Sequence, residues 1–472
     1  MYIYQDYEKA EDKLGFIRKL INDHKGSVEY KTAMTADLYN KQRNKTINEY
    51  VKIIFDMTGS QLEDFVATNN KIASNFFHRL NTQRCTYSLG NGVSFTDHRQ
   101  KVVENGETKT IDLTKEMLGP YFDNDLKTIA YNALIHGRCF GYWNSERLFP
   151  FAVTEFAPLV DERTNVLRAG ARFWQVDPQK PEIVVWYEED GYTKYFAEKA
   201  GGSLSLLEPK RAYKVIVQHT EAGGDEVVGT ENYDSLPIVP LWGNSLHQST
   251  LIGMQQSIDS YDLIRSGFAN DLTDCSEIYW LIENYGGMSD YDLTRLRDRM
   301  KLTHMVSADT SEGGKITPFT QEIPYAARQT YLTEIRNGIY EDFGGLDVHT
   351  VAAGATNDHI DAAYQPMDEE ADDFEYQIIE FVKRVLALEH VEDTPIFKRN
   401  RISNQKEQTD MVLSAAEYLD EETILNKLPF ITPDEVPNIL ARKDADDMDR
   451  MTGGASEPEP APVVVQDQND EE

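Results

Sequence analysis

Apolar residues recur at spacings of three and four between residues 249 and 274, and this period predicts an amphipathic helix. Its apolar side, interrupted only at Arg265, consists of Leu251, Met254, Ile258, Tyr261, Phe268 and Leu272. The opposite side is polar and carries Gln255, Asp259, Asp262, Ser266 and Asn270. We therefore expect one side of this helix to pack against protein and the other to face water.

Two further stretches show the same period. In residues 322–343 the apolar stripe is Leu332, Ile335, Ile339 and Phe343. After a loop rich in glycine and alanine, a third stripe consists of Ile360, Tyr364, Met367, Ala371, Phe374, Ile378, Phe381 and Val385. Narrow apolar seams on acidic helices suit packing against neighbouring helices, including those of other subunits.

The period changes between residues 140 and 241. Short runs rich in Val, Tyr, Phe and Trp alternate there with turns that contain Gly, Asp, Asn and Pro, which predicts closely spaced strands. The runs are 149–156, 166–176, 182–186, 193–197 and 212–217. With helices on both sides, this pattern predicts an α+β fold that contains an antiparallel meander.

The charge of the chain argues against one class of function, tight binding of nucleic acid. Its 472 residues include 80 acidic and 47 basic side chains, a formal net charge of −33. Tight nucleic-acid binding normally requires a basic surface, because phosphate neutralisation supplies most of the binding energy. No apolar run is long enough to cross a bilayer. Three widely spaced cysteines, Cys85, Cys139 and Cys275, argue against a disulfide framework and favour a reducing cytosol.

The sequence contains few residues arranged as a catalytic or metal-binding motif. The phosphate-binding motif fails, because Ile316 follows Gly314-Lys315 and Asp309 stands where its first glycine belongs. A metal-dependent hydrolase that uses Asp358, His359 and Asp361 is one alternative; a cytosolic scaffold that oligomerises through its helices is another. The run of carboxylates Asp368, Glu369, Glu370, Asp372, Asp373 and Glu375 is expected to be a solvated helix face.

Four stretches, taken in order, resemble one protein family. Residues 69–95 resemble its first helix and the glycine-rich turn after it. Residues 232–270 combine a strand ending in Pro-Ile-Val-Pro, an Asn-containing turn and a helix with a Ser-Ile-Asp-Ser-Tyr-Asp core, followed by an Asn-Asp pair at Asn270 and Asp271. Residues 249–392 have its helix and loop order, and residues 396–434 resemble its end. The family is that of tailed-phage portal proteins, of the type found in siphophages of Gram-positive hosts.

The resemblance implies a portal-type α+β fold with a helical and β wing, a two-helix stem, a small α/β clip, a long wing helix and a helical crown. The implied layout is wing 1–248, first stem helix 249–274, clip 275–321, second stem helix 322–343, tunnel loop 344–357, long wing helix 358–392, crown 393–452 and disordered acidic tail 453–472. The step at Thr356-Asn357-Asp358 departs from the Ser-Gly-x-Ala-like step usual in the family.

Two sets of site residues follow from the resemblance. The tunnel loop that would face DNA contains Asp347, Val348, His349, Thr350, Val351, Ala352, Ala353 and Gly354. The clip surface that would meet partner proteins contains Arg295, Arg297, Arg299 and Lys301. No catalytic, cofactor or metal residue is expected.

The implied function is that of a dodecameric ring at one capsid vertex, through which double-stranded DNA is packaged and ejected. The chain would bind that DNA neither tightly nor sequence-specifically, since carboxylates lining a channel would repel phosphates. Its expected partners are the terminase large subunit, a head–tail connector or adaptor protein, and the major capsid and scaffold proteins. We expect assembly in the host cytoplasm, a final place in the virion, and no contact with a membrane.

The acidic tail gives a first prediction. Truncation after Met451 removes acids and prolines that cannot form a core, so the melting temperature should change little. Differential scanning calorimetry of the full and truncated chains measures this change. A decrease of more than about 5 °C would show that the tail packs against the folded chain.

Overall fold

The computed structural model describes residues 3–55, 59–64, 67–104, 107–219, 225–274, 279–283, 315–319, 325–347, 357–401 and 405–428, with a few single positions elsewhere. The chain divides into two compact units. The first comprises Met1–Asp347 and Gln365–Asn400, and the second comprises Val348–Tyr364 and Arg401–Glu472.

Helices and strands occur in blocks along the described residues, with four helices first and a run of strands from residue 138 to residue 242. The helices are α1 Tyr4–Lys9, α2 Lys13–Gly26, α3 Val28–Asn40, α4 Lys45–Glu49, α5 Phe76–Leu89, α6 Leu113–Leu118, α7 Phe122–His136, α8 Leu251–Asp274, α9 Tyr325–Phe343, α10 Asn357–Ala387, α11 Gln405–Ser414 and α12 Glu421–Lys427. The strands are β1 Ile53–Phe55, β2 Gln61–Glu63, β3 Val93–Ser94, β4 Arg99–Glu104, β5 Glu107–Asp112, β6 Arg138–Trp143, β7 Leu148–Ala152, β8 Phe156–Val160, β9 Leu167–Trp174, β10 Glu182–Glu188, β11 Gly191–Ala197, β12 Ser205–Arg211, β13 Lys214–His219, β14 Asp225–Glu231, β15 Ile238–Trp242, β16 Tyr279–Glu283, β17 Lys315–Phe319 and β18 Ile396–Phe397.

The predicted runs 166–176, 182–186 and 193–197 lie in β9, β10 and β11 of the largest sheet, whose order is β12-β11-β10-β9-β8. The predicted runs 149–156 and 212–217 lie mainly in β7 and β13, which belong to two other sheets. Every neighbouring pair is antiparallel, as the alternating strand and turn signals predicted. Residues of α2, including Ile17 and Ile21, share a buried cluster with Trp186 of β10 and Phe173 of β9. The mixture of helices and antiparallel sheets is that of an α+β fold.

A second sheet, in the order β15-β6-β7, lies beside α7. Helix α7 ends at Gly137, whose φ of +88° is the left-handed conformation that glycine adopts without steric cost. In β6, a Cβ at Gly141 would lie 2.5 Å from Cζ of Phe381. The missing side chain therefore makes room for a ring of α10 to approach the sheet.

Helices α8 and α9 form an antiparallel pair. Near the end of α8, the ring of Phe268 lies 5.6 Å from that of Tyr325 at the start of α9, and Arg328 forms an ion pair with Asp271. At the other end of the pair, Leu251 and Met254 share a buried cluster with Ile339, Tyr340 and Phe343. Strands β16 and β17, which follow α8 and precede α9, pair with each other.

The apolar seam of α10 is buried within the chain itself. Phe374, Ile378 and Phe381 are at most 1% exposed and belong to one cluster with Phe122 and Leu126 of α7. The expectation that this seam also serves contacts between subunits is wrong for these residues, because α7 and the β15-β6-β7 sheet already cover them. A substitution of Ile378 would therefore report on folding rather than on assembly.

The polar side of α8 was expected to face water, but three of its residues are buried. Asp262, Ser266 and Asn270 are 0%, 3% and 4% exposed. They accept hydrogen bonds from the backbone N–H groups of residues 70–74, an extended segment that we call the strap. The bonds are Ser74 N to Asp262 Oδ1 at 2.8 Å, Ile72 N to Ser266 Oγ at 3.0 Å and Asn70 N to Asn270 Oδ1 at 2.6 Å.

The match between helix and strap is geometrical. Four residues of α-helix rise about 6.0 Å, and two residues of extended chain span about 6.6 Å. Side chains spaced by four on α8 can therefore serve every second N–H group of an antiparallel extended segment. A buried N–H group needs such a partner, which explains why this side of α8 is polar although it is buried.

Ser266 provides a test of the strap. Ser266→Ala should lower the free energy of unfolding by about 1–3 kcal/mol, because it removes the acceptor of the Ile72 N–H group. Urea denaturation followed by circular dichroism measures the change in midpoint. The control is Ser260→Ala on the exposed side of the same helix, and equal midpoints for the two variants would contradict the strap.

Candidate functional site

The predicted tunnel loop is described only at its beginning. Val348 to Gly354 lie outside the described residues, whereas Asp347 is described and is 9% exposed. Its carboxylate Oδ2 lies 2.7 Å from Nη2 of Arg336, whose guanidinium lies 5.1 Å from the ring centre of Tyr340. Asp347, predicted to face DNA, is therefore held against α9 within the chain.

Gln83 of α5 holds the backbone of the neighbouring residue, Leu346. The Gln83 Nε2 donates to Leu346 O at 2.9 Å, and Leu346 N donates to Gln83 Oε1 at 3.2 Å. One amide side chain thus satisfies both backbone polar groups of a buried residue, in the way that a neighbouring strand would. Leu346 itself is 5% exposed.

Arg84, the next residue of α5, holds the end of α9. Its guanidinium carbon lies 4.1 Å from the centre of the Phe343 ring, and Nη2 donates to Phe343 O. Nη1 forms an ion pair of 2.9 Å with Glu370 of α10. Burial lowers the pKa of Arg84, and the charge of Glu370 opposes that effect. The contact places a charged group at the carbonyl end of a helix, where a cation is stabilising.

Two glycines allow the chain to turn between these contacts. Gly344 has a φ of +64°, and a Cβ there would lie 2.9 Å from Cγ of Glu370. A Cβ at Gly345 would lie 2.6 Å from Cδ2 of Leu80. Larger residues would therefore push the chain away from α5 and α10. We call residues 343–347, held by α5, α9 and α10, the loop base.

The loop base was not predicted from the sequence. Gln83 and Arg84 stand about 260 positions before their partners, and nothing in their local pattern distinguishes them from other polar helix residues. The glycines were the only available signal, since a Gly-Gly pair after a helix indicates a close turn.

A second cluster is built around Arg399, just after β18. Its Nε and Nη2 lie 3.0 and 2.9 Å from the two oxygens of Glu375, and Nη1 lies 2.9 Å from Asp368. Asp372 also binds Nη2, and the Tyr87 hydroxyl donates to Asp368 Oδ1 at 2.6 Å. The hydrogen bonds that Arg399 donates to Glu375 and Asp372 raise its pKa.

The prediction that the run of carboxylates on α10 is a solvated face is therefore incomplete, because these acids also have partners within the chain. Besides the three bound by Arg399, Glu370 pairs with Arg84 and Asp373 accepts a hydrogen bond of 2.9 Å from Ser245 N. These acids stabilise the position of α10 because each meets a donor from another element.

The predicted clip surface is described only in part. Arg295 is exposed and helical. Arg297, Arg299 and Lys301 lie outside the described residues, so their spacing relative to Arg295 stays a prediction.

The alternative metal site gains no ligand set from the structure. Asp361 Oδ1 lies 3.1 Å from Nη1 of Arg401, and the Arg401 guanidinium lies 5.6 Å from the ring centre of Tyr364. Within the described ranges, no three His, Cys, Asp or Glu side chains are placed to hold a metal ion together. In the same part of the chain, no helix is both long and apolar enough to cross a membrane.

Comparison with known proteins decides the family. Residues 18–451 match the family model described as phage portal protein, SPP1 Gp6-like. The chain belongs to this family of phage portal proteins. Portal proteins of this family are structural components of the virion, and the predicted resemblance is confirmed.

Two relatives extend this portal family match. The portal protein of Bacillus phage SPP1 is 23% identical over 463 residues, which cover 91% of this chain and 86% of the relative. The portal protein of Clostridium phage phiCD119 is 23% identical over 389 residues, 77% of this chain and 82% of the relative. The similarity therefore extends over nearly the whole length of the relatives.

Arg399 provides a prediction for this portal protein. Arg399→Met should lower the melting temperature by several degrees, because Asp368 and Glu375, whose side chains are 20% and 12% exposed, would lose their cation. The loss should be on the order of 2 kcal/mol, since the cluster is only partly buried. Scanning calorimetry measures it, with Arg163→Met at an exposed position as the control. Similar melting temperatures for both variants would contradict a stabilising role for the cluster.

Proposed function

We propose that twelve copies of this chain form a closed ring at one vertex of a phage capsid. Double-stranded DNA enters the capsid through the central channel of the ring and leaves by the same route. The observation that carries this proposal is the match of residues 18–451 to the portal family. The same match supports a role in the virion, after assembly in the host cytoplasm.

The antiparallel pair of α8 and α9 supports the assignment of a two-helix stem. Its ends at Asp274 and Tyr325 lie on the same side of the pair, and β16 and β17, which lie between these two residues in sequence, pair with each other. We assign residues 275–321 to the clip, and residues 1–248 with 358–392 to the wing. Residues 393–452 form the crown in this assignment. The exposed Arg295, together with Arg297, Arg299 and Lys301, would contact the terminase large subunit and later a head–tail connector or adaptor protein.

The charges on α9 support the proposal that DNA slides through the channel and does not bind to its wall. The arginines of α9, Arg328 and Arg336, are engaged in ion pairs with Asp271 and Asp347. The exposed positions of α9 include Glu334, Glu341 and Asp342. A surface whose arginines are paired with acids and whose exposed side chains include carboxylates does not attract phosphates. The net charge of −33 is repeated in every subunit.

We further propose that residues 348–354 face the DNA and that the loop base holds their start. Gly354 permits backbone conformations that other residues resist, and the neighbouring Ala352 and Ala353 add little bulk. The major capsid and scaffold proteins would contact the outer part of the ring. The absence of a phosphate-binding motif in the sequence means that the energy for packaging comes from a separate chain.

The loop deletion tests the channel. Deletion of Val351–Ala355 should leave rings intact in negative-stain images but reduce the amount of full-length DNA packaged. The rings should stay intact because the deletion leaves the loop base, which connects the loop to the rest of the chain, unchanged. Quantitative PCR of nuclease-protected DNA measures packaging, and the chain truncated after Met451 is the control.

Normal packaging by the deletion variant would exclude the loop from the channel function. Loss of the rings would instead place the loop in a subunit interface. If the unaltered chain gave only monomers or small oligomers, the ring itself would be excluded and the alternative of a helical scaffold would be favoured.

A further inference from the structure

Helix α3 has apolar residues on two opposite sides, and the described part of the chain covers only one of them. On the covered side, Ala33 and Ala36 are 0% exposed. On the other side, Val28, Met34 and Leu38 are 81%, 47% and 37% exposed. A helix with apolar residues on both sides is normally covered on both, and grouped exposed apolar residues mark interaction surfaces. We call the exposed side the outer face of α3.

The acids and the bases of this segment differ in their surroundings. The acids have partners within the chain, since Glu29 pairs with Arg138 at 2.8 Å and Asp37 lies 2.9 Å from Nε2 of His136. The bases are exposed and form no ion pair within the described ranges; they are Lys31, Lys41, Arg43 and Lys45. The outer face of α3 is therefore apolar and positively charged, in a chain whose net charge is −33.

Helix α10 presents a surface of the opposite charge. The side away from its buried seam carries four residues at spacings of three and four, namely Glu369, Asp372, Tyr376 and Glu380. We call these four residues the acidic stripe. Tyr376 is 60% exposed, and Glu369 and Asp372 are exposed as well. The stripe complements the outer face of α3 in charge, and an exposed tyrosine at its centre is typical of interfaces between proteins.

The two surfaces lie on opposite sides of α7. Ile135 of α7 shares a buried cluster with Ala36 of α3, whereas Leu126 and Ala133 of α7 share another with the seam of α10. Successive residues of a helix are turned by about 100°, so Ile135 is directed almost opposite to Leu126 and Ala133. The outer face of α3 and the acidic stripe each lie on the side away from α7. They therefore point in opposite directions.

We propose that the outer face of α3 in one chain binds the acidic stripe of α10 in a second copy, and that this contact joins neighbouring subunits. The inference rests on the ring proposed above and names the surfaces by which its copies meet. A closed ring requires two different, complementary surfaces on each subunit, and surfaces that point in opposite directions meet this requirement.

Charge favours a second copy of the chain as the partner. Two copies with a net charge of −33 repel each other, so a contact between them is favoured where a local excess of cations meets acids. DNA would also neutralise the cations, but it would leave Val28, Met34 and Leu38 without an apolar partner. The apolar residues therefore distinguish a protein partner from a nucleic acid.

Reversal of charge on each surface tests the contact. Lys31→Glu with Lys41→Glu should reduce the fraction of rings at least about tenfold in sedimentation velocity, because acids would then face acids at every contact. Glu369→Lys with Glu380→Lys should do the same, because bases would face bases. The variant with all four substitutions should form rings again, since attraction is restored with the signs exchanged. The lysines are exposed, so circular dichroism of the first variant should match that of the unaltered chain.

The control is Lys180→Glu with Lys199→Glu, which reverses the same number of charges at exposed positions of the turns beside the largest sheet and should leave the rings unchanged. Normal rings in the Lys31 and Lys41 variant would overturn the contact and leave the proposed ring intact. Failure of the fourfold variant to regain rings would overturn the pairing of these two surfaces. Normal rings together with reduced binding of a labelled DNA duplex would assign the outer face to nucleic acid instead. Absence of rings from the unaltered chain would overturn the proposed function and this contact together.

Discussion

The hydrogen bonds between α8 and the strap determine where much of the surrounding structure lies. The strap ends at Ser74, and α5 begins only two residues later at Phe76. The position of α5 in turn places Gln83 and Arg84 against the loop base. A set of side-chain acceptors on one helix thus positions, through α5, a segment that follows a different helix. Because none of the described strands pairs with the strap, α8 supplies what a neighbouring strand would normally provide.

Charge is used in a similar way. The chain has many more acids than bases, and several arginines each serve more than one acceptor. Arg399 binds three carboxylates of α10, while Arg84 combines an ion pair, a carbonyl and an aromatic ring. The planar guanidinium suits such shared contacts. Some of the excess acidic residues therefore hold α10 in position through these arginines.

Much of the fold could be predicted from the pattern of apolar residues. The long helices and the antiparallel meander agree with the structure, because each depends on local spacing. The buried polar side of α8 could not be predicted in this way. Hydrophobic periodicity identifies faces that exclude water but does not register a face that is buried to satisfy backbone N–H groups.

In the candidate site, too, some features could be predicted from the sequence and others could not. The position of the loop between two helices followed from the sequence, and the family resemblance implied the role that we propose for it. Its base did not follow, because Asp347 meets Arg336 on α9 while Leu346 meets Gln83 far away in the sequence. The acidic run on α10 was interpreted as a solvated face for a related reason. Its partner Arg399 belongs to a later segment, and charge alone does not reveal a distant partner.

The loop base also has a mechanical consequence. A force pulling on the chain beyond Asp347 reaches α9 only through residues 343–347. There it is shared among the two hydrogen bonds of Gln83, the contacts of Arg84 and the ion pair of Arg336. These contacts are made to two different helices and oppose unwinding of the end of α9. Tension in the loop is therefore passed to α5 as well as to α9.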